Sequence, residues 1–245
     1  MAKVISISNH KGGVGKTTAV ANIGFALARQ FKVLIIDLDP QANLSSGLGF
    51  ENSQINMASI IKDRIHFQRR TIIPEVITKY VHIIPSSFIL NEIEVLLHDK
   101  PDGLSVLKEI LYELKNKYDI ILIDCPPALN YLTLNALNSS DLIVIPAKPE
   151  RFSVIGVDKI VSIAEKNNIP FKILFNQVNK RSLLHKRIIK LTREKYNGRT
   201  LNHYVRSNVS LAEAFDEAKN IFHYKNESLG ALDFVDLAAE LSDYI

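Results

Sequence analysis

The chain contains a single cysteine, Cys125, among its 245 residues. One cysteine cannot form a disulfide within the chain, and it leaves too few thiols for a cysteine-rich zinc or iron–sulfur site. Because Cys125 follows the apolar residues 120–123, we expect it to be a buried small side chain rather than a reactive thiol. This cysteine usage is typical of a protein in a reducing compartment.

Long hydrophobic runs are also missing. No apolar run in the sequence reaches the ~20 residues needed to cross a bilayer. The first strand pattern, Val4–Ser8, begins too early for a signal peptide to precede it. We therefore expect a cytoplasmic protein with no membrane attachment. An apolar fraction of 47% and a charged fraction of 23% argue against disorder, and we expect one domain over residues 1–245.

Acidic residues are scarce between residues 180 and 206, where Glu194 is the one acid. The net charge of +4 is modest, and this segment accounts for all of the chain's positive excess. In a helix from Leu183, three basic side chains would share one face, and this predicts binding to a polyanion. An ordinary solvated helix is the alternative. The basic residues of the segment are Lys180, Arg181, Lys186, Arg187, Lys190, Arg193, Lys195, Arg199 and Arg206.

Apolar runs of strand length alternate with helical patterns along the chain. Residues 33–36 and 120–123 are apolar without alternation, which is typical of strands buried on both faces of a parallel sheet. The alternation predicts an α/β fold, a doubly wound, mostly parallel sheet with helices on both faces. The predicted strands are Val4–Ser8, Lys32–Asp37, Val81–Pro85, Asp119–Asp124, Asp141–Ala147 and Phe171–Asn176. The predicted helices are Lys16–Gln30, Ser87–His98, Leu104–Lys117, Leu129–Asn138, Ser153–Asn167, Leu183–Lys195, Ser210–Lys219 and Leu229–Asp243.

Two local features complete this prediction. Residues 50–80 are the least regular part of the sequence and indicate only short helices and loops. Ser210 and Glu213 have the spacing of a capping box, so we expect Ser210 to cap the helix that begins there.

The most specific pattern is Asn-His-Lys-Gly-Gly-Val-Gly-Lys-Thr-Thr at residues 9–18, between the first predicted strand and the first predicted helix. Its glycines leave backbone N–H groups free for a polyphosphate, and the helix N-terminus faces the same anion. Lys16 can reach the terminal phosphates and the Thr17 hydroxyl can bind Mg²⁺. The standard phosphate loop has glycine at the position of His10, and here a second lysine, Lys11, follows it.

Aspartates follow two of the predicted strands. Asp37 and Asp39 end one of these strands, and Asp124 ends another. The carboxyl ends of parallel strands share one edge of a sheet, so these carboxylates should lie beside the phosphate loop, where they can hold Mg²⁺ or orient water. Solvated turn residues are the alternative for each.

Taken in order, these segments resemble the ParA/MinD family of ATPases, whose deviant Walker A motif is Lys-Gly-Gly-x-Gly-Lys-Thr. The resemblance extends over nearly the whole chain and includes a softer match at residues 206–214. It implies a P-loop NTPase fold, ATP and Mg²⁺ as cofactors, and a homodimer that forms with ATP. In that dimer, Lys11 of each subunit would contact the nucleotide of the other.

The resemblance also implies roles for single residues. Lys16 would bind the phosphates, Asp39 would orient the attacking water, and Thr17, Asp37 and Asp124 would hold the Mg²⁺ shell. Asn176 resembles the residue that reads adenine, with a turn asparagine as the alternative. Many relatives have proline where this chain has Val205. The resemblance therefore does not extend to the details of the pocket for the adenine base. The implied nucleotide-binding set is Lys11, Gly12, Gly13, Val14, Gly15, Lys16, Thr17, Thr18 and Asn176.

The acidic segment at residues 233–245 differs from the basic amphipathic helix of membrane-bound MinD-like proteins. The resemblance therefore narrows to the short ParA/Soj type, which implies nonspecific DNA binding, a ParB-like activating protein and a nucleoid-associated role in chromosome or plasmid partition. Three alternatives stay open, namely a protein cargo such as a microcompartment or chemosensory cluster, an amide ligase of the same superfamily, and a purely structural nucleotide-binding module. The candidate DNA-binding residues are Arg181, Lys186, Lys190, Arg193 and Arg206, of which Arg181 and Arg206 match basic positions in relatives.

Overall fold

The computed structural model describes residues 1–68 and 70–245, apart from the side chains of residues 152 and 154. The strands of this described part are β1 (Lys3–Ile7), β2 (Val33–Asp37), β3 (Glu75–Val76), β4 (Val81–Ile84), β5 (Ile120–Asp124), β6 (Leu142–Ala147) and β7 (Phe171–Phe175). They form one sheet in the order β3-β4-β2-β5-β1-β6-β7. All neighbours pair in parallel except β3, a two-residue edge strand that runs antiparallel to β4. The prediction of a doubly wound, mostly parallel sheet is confirmed.

Helices cover both faces of the sheet. Each helix that the sequence predicts is present: α8 has the predicted bounds, and the others differ at one or both ends. The helices α2 and α10 and the strand β3 were not predicted. Within the described part of the chain, no helix combines the length and apolar character needed to cross a bilayer. The helices are α1 (Lys16–Leu27), α2 (Asn43–Gly47), α3 (Met57–Ile65), α4 (Leu90–Asp99), α5 (Val106–Leu114), α6 (Tyr131–Asn138), α7 (Arg151–Lys166), α8 (Leu183–Lys195), α9 (Ser210–Asp216), α10 (Ile221–Lys225) and α11 (Leu229–Ser242).

The central strands β2 and β5 are buried along their whole length. Their side chains alternate between two cores: Ile35 and Leu122 pack on the face covered by α1 and α11, whereas Leu34 and Ile121 face the core of α3 to α6. Both faces of each strand must therefore be apolar, which explains the unbroken apolar runs in the sequence. Burial of each such side chain contributes about 1.5–3 kcal/mol before the entropy of ordering it is counted.

The start of α9 differs from the predicted capping box. Val209 precedes the helix with helical dihedral angles, φ −63° and ψ −35°, and its side chain makes no capping hydrogen bond. The Oδ1 atom of Asn208 instead accepts the N–H of Ser210 at 3.0 Å, so the chain is already turning before Ser210. The prediction that Ser210 caps this helix is wrong, because an asparagine two residues earlier satisfies the first free N–H.

The register of the sheet sets the position of the candidate site. Asp37 on β2 pairs with Asp124 on β5, and Asp124 also pairs with Ile7, the last residue of β1. The loop that follows β1 therefore begins beside both aspartates. This edge carries the carboxyl ends of the parallel strands, where ligands bind in open α/β sheets.

Candidate functional site

The loop between β1 and α1 takes a backbone conformation that requires glycine. Gly13 and Gly15 have φ values of 72° and 81°, in the left-handed region that side chains with a Cβ rarely adopt. A Cβ on Gly15 would also collide with the amide nitrogen of Asn176. The loop passes directly into α1, whose first residue is Lys16, so the free N–H groups of the helix start point toward the loop.

Asn9 holds the start of this loop in place. Its amide nitrogen donates to the carbonyl of Pro146 on β6 at 2.7 Å, and its amide oxygen accepts the N–H of Lys11 at 2.9 Å. The residue is fully buried. Sequence reasoning missed this role, because the partner of Asn9 lies 137 residues away on another strand.

Asn176 and Gln177, directly after β7, hold the other side of the loop. Asn176 Nδ2 donates to the carbonyl of Val14 at 2.8 Å, and Gln177 Nε2 donates to the carbonyl of Gly13 at 3.0 Å. Asn176 is 3% exposed, and its buried amide nitrogen is hydrogen-bonded to the loop backbone. Adenine recognition by Asn176 stays a prediction, whereas the contact that the structure places there fastens the phosphate loop to β7.

The two lysines of the loop have different environments. Lys16 is 7% exposed, and its ammonium donates to the carbonyl of Lys11 at 3.3 Å. Burial lowers the pKa of Lys16 from its usual value, while the nearby carboxylate of Asp124 opposes this shift. Lys11 instead extends to the surface, where its Nζ lies 3.7 Å from the carboxylate of Glu150. A buried cation at a loop of free N–H groups suits a terminal phosphate, and an exposed one is available to a second molecule.

Asp124 is a fully buried carboxylate at the end of β5. Among the described residues, neither of its oxygens accepts a hydrogen bond of normal geometry. Burial raises the pKa of Asp124 well above its usual range, the charge of Asp37 adds to this, and the neighbouring Thr17 and Lys16 lower it. A buried carboxylate that lacks partners is costly unless a ligand satisfies it. Its oxygens beside the Thr17 hydroxyl fit the preference of Mg²⁺ for hard oxygen ligands.

Asp37, by contrast, has its oxygens occupied. Oδ2 accepts both the N–H and the hydroxyl of Ser45, at 2.9 and 2.7 Å, and Oδ1 accepts the N–H of Asp39 at 3.1 Å. Burial raises the pKa of Asp37 to about 6, while these hydrogen bonds lower it. Direct ligation of Mg²⁺ by Asp37 stays a prediction, and Asp124 is the better-placed carboxylate.

The acidic side chains of the site are Asp37, Asp39 and Asp124. Within residues 1–68 and 70–245, no group of three or more His, Cys, Asp or Glu side chains is arranged around a possible metal position. Mg²⁺ typically keeps several waters and binds one or two carboxylates together with substrate phosphates. The geometry therefore fits an ion that arrives with a nucleotide.

Asp39 lies just past the end of β2 and is 8% exposed. Its Oδ1 accepts the N–H of Gln41 at 3.0 Å, so its carboxylate is held at the edge of the sheet beside Asp37 and Lys16. A carboxylate fixed near the terminal phosphates can orient water for attack.

A groove of about 960 Å³ runs along α8 on the surface of the chain. Lys186, Lys190 and Arg193 line it, together with Lys180 and Tyr204, and Glu194 is the acid among its lining residues. The Lys180 ammonium lies 5.6 Å from the centre of the Tyr204 ring. The structure thus brings three of the five predicted DNA-binding residues to one groove. Sequence reasoning missed Tyr204, which comes from the segment after α8.

Arg206 and Arg181 do not line this groove. The guanidinium of Arg206 is paired with the carboxylate of Asp233 on α11 at 2.5–2.9 Å, and its backbone N–H donates to the same group at 2.8 Å. Asp233 raises the pKa of Arg206, and a charge held in this way is less available to a phosphate. DNA contact by Arg206 and Arg181 stays a prediction.

The C-terminal helix holds the wall of the groove. Asp233 and Glu240 lie seven residues apart on α11, on one side of that helix. Glu240 accepts the N–H groups of Asn202 and His203 at 2.7 and 2.9 Å, while Asp233 binds Arg206. The segment that carries Tyr204 is therefore fastened at both ends to α11, which packs against α1.

Comparison with known proteins adds to this geometry. A family model described as an AAA domain matches residues 2–198. The sporulation initiation inhibitor protein Soj of Bacillus subtilis (strain 168) is 34% identical to the chain, with 99% of both proteins covered. The chromosome-partitioning ATPase Soj of Treponema pallidum (strain Nichols) is 32% identical, covering 98% of this chain and 97% of the relative. The structure of the septum site-determining protein MinD from Pyrococcus horikoshii OT3 with Mg-ADP is 28% identical and superposes with a TM-score of 0.82 over 100% of this chain and 97% of that one.

Replacement of Lys16 tests the phosphate loop. We expect Lys16→Ala to weaken MgATP binding by about 100-fold or more, because the buried ammonium that faces the phosphates is lost. Isothermal calorimetry measures this affinity. Lys166→Ala, at the exposed end of α7, is the control and should bind MgATP like the wild type. Wild-type affinity in Lys16→Ala would contradict the assignment of this loop.

Proposed function

The chain belongs to the ParA/Soj-type family of partition ATPases, and from this premise we propose that it positions chromosome or plasmid DNA through ATP-controlled binding to DNA of any sequence. ATP hydrolysis is the activity of the family, and ATP and Mg²⁺ are its cofactors. In our proposal, ATP joins two subunits, the dimer holds DNA, and a ParB-like protein stimulates hydrolysis and release. This cycle would place the protein on the nucleoid.

The geometry supports separate roles in ATP hydrolysis for the phosphate loop and for Asp39. The loop N–H groups and Lys16 bind the phosphates, and Asp39 orients the attacking water. Bound Mg²⁺, held by Thr17 and Asp124, would neutralise charge that develops on the phosphates. Lys11 is half-buried at the surface with its ammonium 3.7 Å from the Glu150 carboxylate, a position that suits a contact with the nucleotide of the partner subunit.

The basic groove along α8 is the observation that supports DNA binding. Its lysines and Arg193 line the groove together with Tyr204, and such a basic surface attracts phosphates without reading bases. A dimer carries two such grooves, and two linked sites on one duplex bind far more tightly than one. ATP control of dimerisation would thereby become ATP control of DNA binding.

Replacement of Asp39 tests the hydrolytic role. We expect Asp39→Ala to bind MgATP normally but to hydrolyse it at least about 100-fold more slowly, because the attacking water loses its orienting carboxylate. Steady-state phosphate release and calorimetry measure the two quantities. Hydrolysis at the wild-type rate would show that Asp39 is only a turn residue.

Replacement of Lys11 tests the dimer. Lys11→Ala should bind MgATP as a monomer and fail to dimerise, since its proposed phosphate ligand belongs to the other subunit. Light scattering after gel filtration, with ATP and the slow Asp39→Ala background, reports the mass. Undiminished dimer formation would remove the reason to place Lys11 across an interface.

Charge reversal in the groove tests DNA binding. We expect the Lys186→Glu/Lys190→Glu variant to bind random duplex DNA at least about 10-fold more weakly, with the slope of log affinity against log salt reduced by about 0.9 per lost phosphate contact. Fluorescence anisotropy with ATP, ADP and no nucleotide, over a salt series, measures both effects. Lys166→Glu, outside the groove, is the matched control. Binding that ignores nucleotide, or that persists in the double variant, would break the proposed link between the ATP switch and this groove.

A further inference from the structure

Asp39 lies in a closed ring of hydrogen bonds that joins the ends of β2 and β4. Its N–H donates to Asp37 Oδ1 at 3.1 Å, and its carbonyl accepts the Ser86 hydroxyl at 2.6 Å. The N–H of Ser86 donates to the Ser45 hydroxyl at 2.8 Å, and that hydroxyl donates to Asp37 Oδ2 at 2.7 Å. The four residues of the ring are Asp37, Asp39, Ser45 and Ser86.

The ring is buried, and both of its serine hydroxyls donate within it. Ser45 is fully buried and Ser86 is 2% exposed, so neither hydroxyl can exchange its partner for bulk water. Ser45 Oγ acts as donor to Asp37 and as acceptor from Ser86, while Ser86 Oγ donates to Asp39. Both peptide groups that flank the α-carbon of Asp39 are therefore tied to neighbouring elements.

This restraint matters because Asp39 lies beyond the sheet ladder. The last strand residue is Asp37, and the chain turns after Pro40, where Ala42 has a φ of 53°. Without outside contacts, such a turn can shift by more than an oriented water tolerates, since a misplacement of about 1 Å can cost 100-fold in rate. The ring supplies contacts from Ser45 on α2 and from Ser86, the second residue after β4.

We infer that Ser45 and Ser86 are positioning residues for ATP hydrolysis, which hold the backbone of Asp39 so that its carboxylate stays aligned with the attacking water. The inference rests on the role proposed above for Asp39. It also explains why the oxygens of Asp37 are occupied: this carboxylate serves as the anchor of the ring, with three hydrogen bonds from Ser45 and Asp39.

Ser86→Ala is the cleaner test of the ring. It removes one hydrogen bond, and the carbonyl of Asp39 keeps a second donor, the N–H of Ala42 at 2.9 Å. Ser45→Ala is harsher, because it would leave the buried N–H of Ser86 without an acceptor. The neighbours Ser87, which is half-buried, and Ser46, which is exposed, provide matched controls on the same elements.

We expect Ser86→Ala to lower the kcat of ATP hydrolysis by about 10-fold while KM and calorimetric ATP affinity change by less than about twofold. The reason is that the ring touches the water-orienting segment but not the phosphate loop. Ser87→Ala and Ser46→Ala should hydrolyse ATP like the wild type. Thermal unfolding of each variant, followed by circular dichroism, verifies that the protein assayed is folded.

A double-mutant cycle separates positioning from general destabilisation. If Ser86 acts through Asp39, the Asp39→Ala/Ser86→Ala variant should hydrolyse ATP no more slowly than Asp39→Ala alone. A multiplicative loss in the double variant, or a wild-type kcat in Ser86→Ala while Asp39→Ala is slow, would overturn the inference and leave the role of Asp39 standing. Wild-type hydrolysis by Asp39→Ala would instead overturn the proposed role of Asp39, and the inference with it.

Discussion

The site depends on the burial of opposite charges at one edge of a parallel sheet. Lys16 and Asp124 are both nearly inaccessible, and each shifts the pKa of the other against the effect of burial. Charges removed from water are costly unless they are paired or bind a ligand, and Asp124 has no hydrogen-bond partner among the described residues. The folded chain thus buries charges whose loss of hydration is only partly compensated, and a bound phosphate with its metal ion would supply the missing partners.

The surrounding structure serves to hold this arrangement in place. The side chain of Asn9 fastens the phosphate loop to β6, the side chain of Asn176 fastens it to the end of β7, and the hydrogen-bond ring fastens Asp39. On the far side of α1, the C-terminal helix α11 packs into the same core and binds the wall of the basic groove through Asp233 and Glu240. The nucleotide site and the groove are therefore connected through the packed helices α1 and α11.

The parts of the site that could be predicted from sequence are those with fixed spacing along the chain. The run from Lys11 to Thr18 places glycines, lysine and threonine at the start of a helix, and an apolar strand before Asp124 brings that carboxylate to the same edge. Asn9, Gln177 and Ser86 each bind a residue far away in the chain, so no local pattern marks these contacts. The pairing of Arg206 could not be predicted for the same reason. The sequence does not distinguish an arginine that faces solvent from one that pairs with an aspartate 27 residues away.

The sequence by itself determined the fold class, the positions of the apolar central strands along the chain, the phosphate loop and the family. These features depend on hydrophobic periodicity and on residue types at short spacing, which local chemistry dictates. Only the tertiary structure decided that Asp37 is saturated with hydrogen bonds while Asp124 is not, that Asn176 holds the loop, and that Lys186 but not Arg206 lines the groove. Those distinctions depend on which side chains meet across strands and helices, and the meeting is set by sheet register and packing rather than by neighbours in the chain.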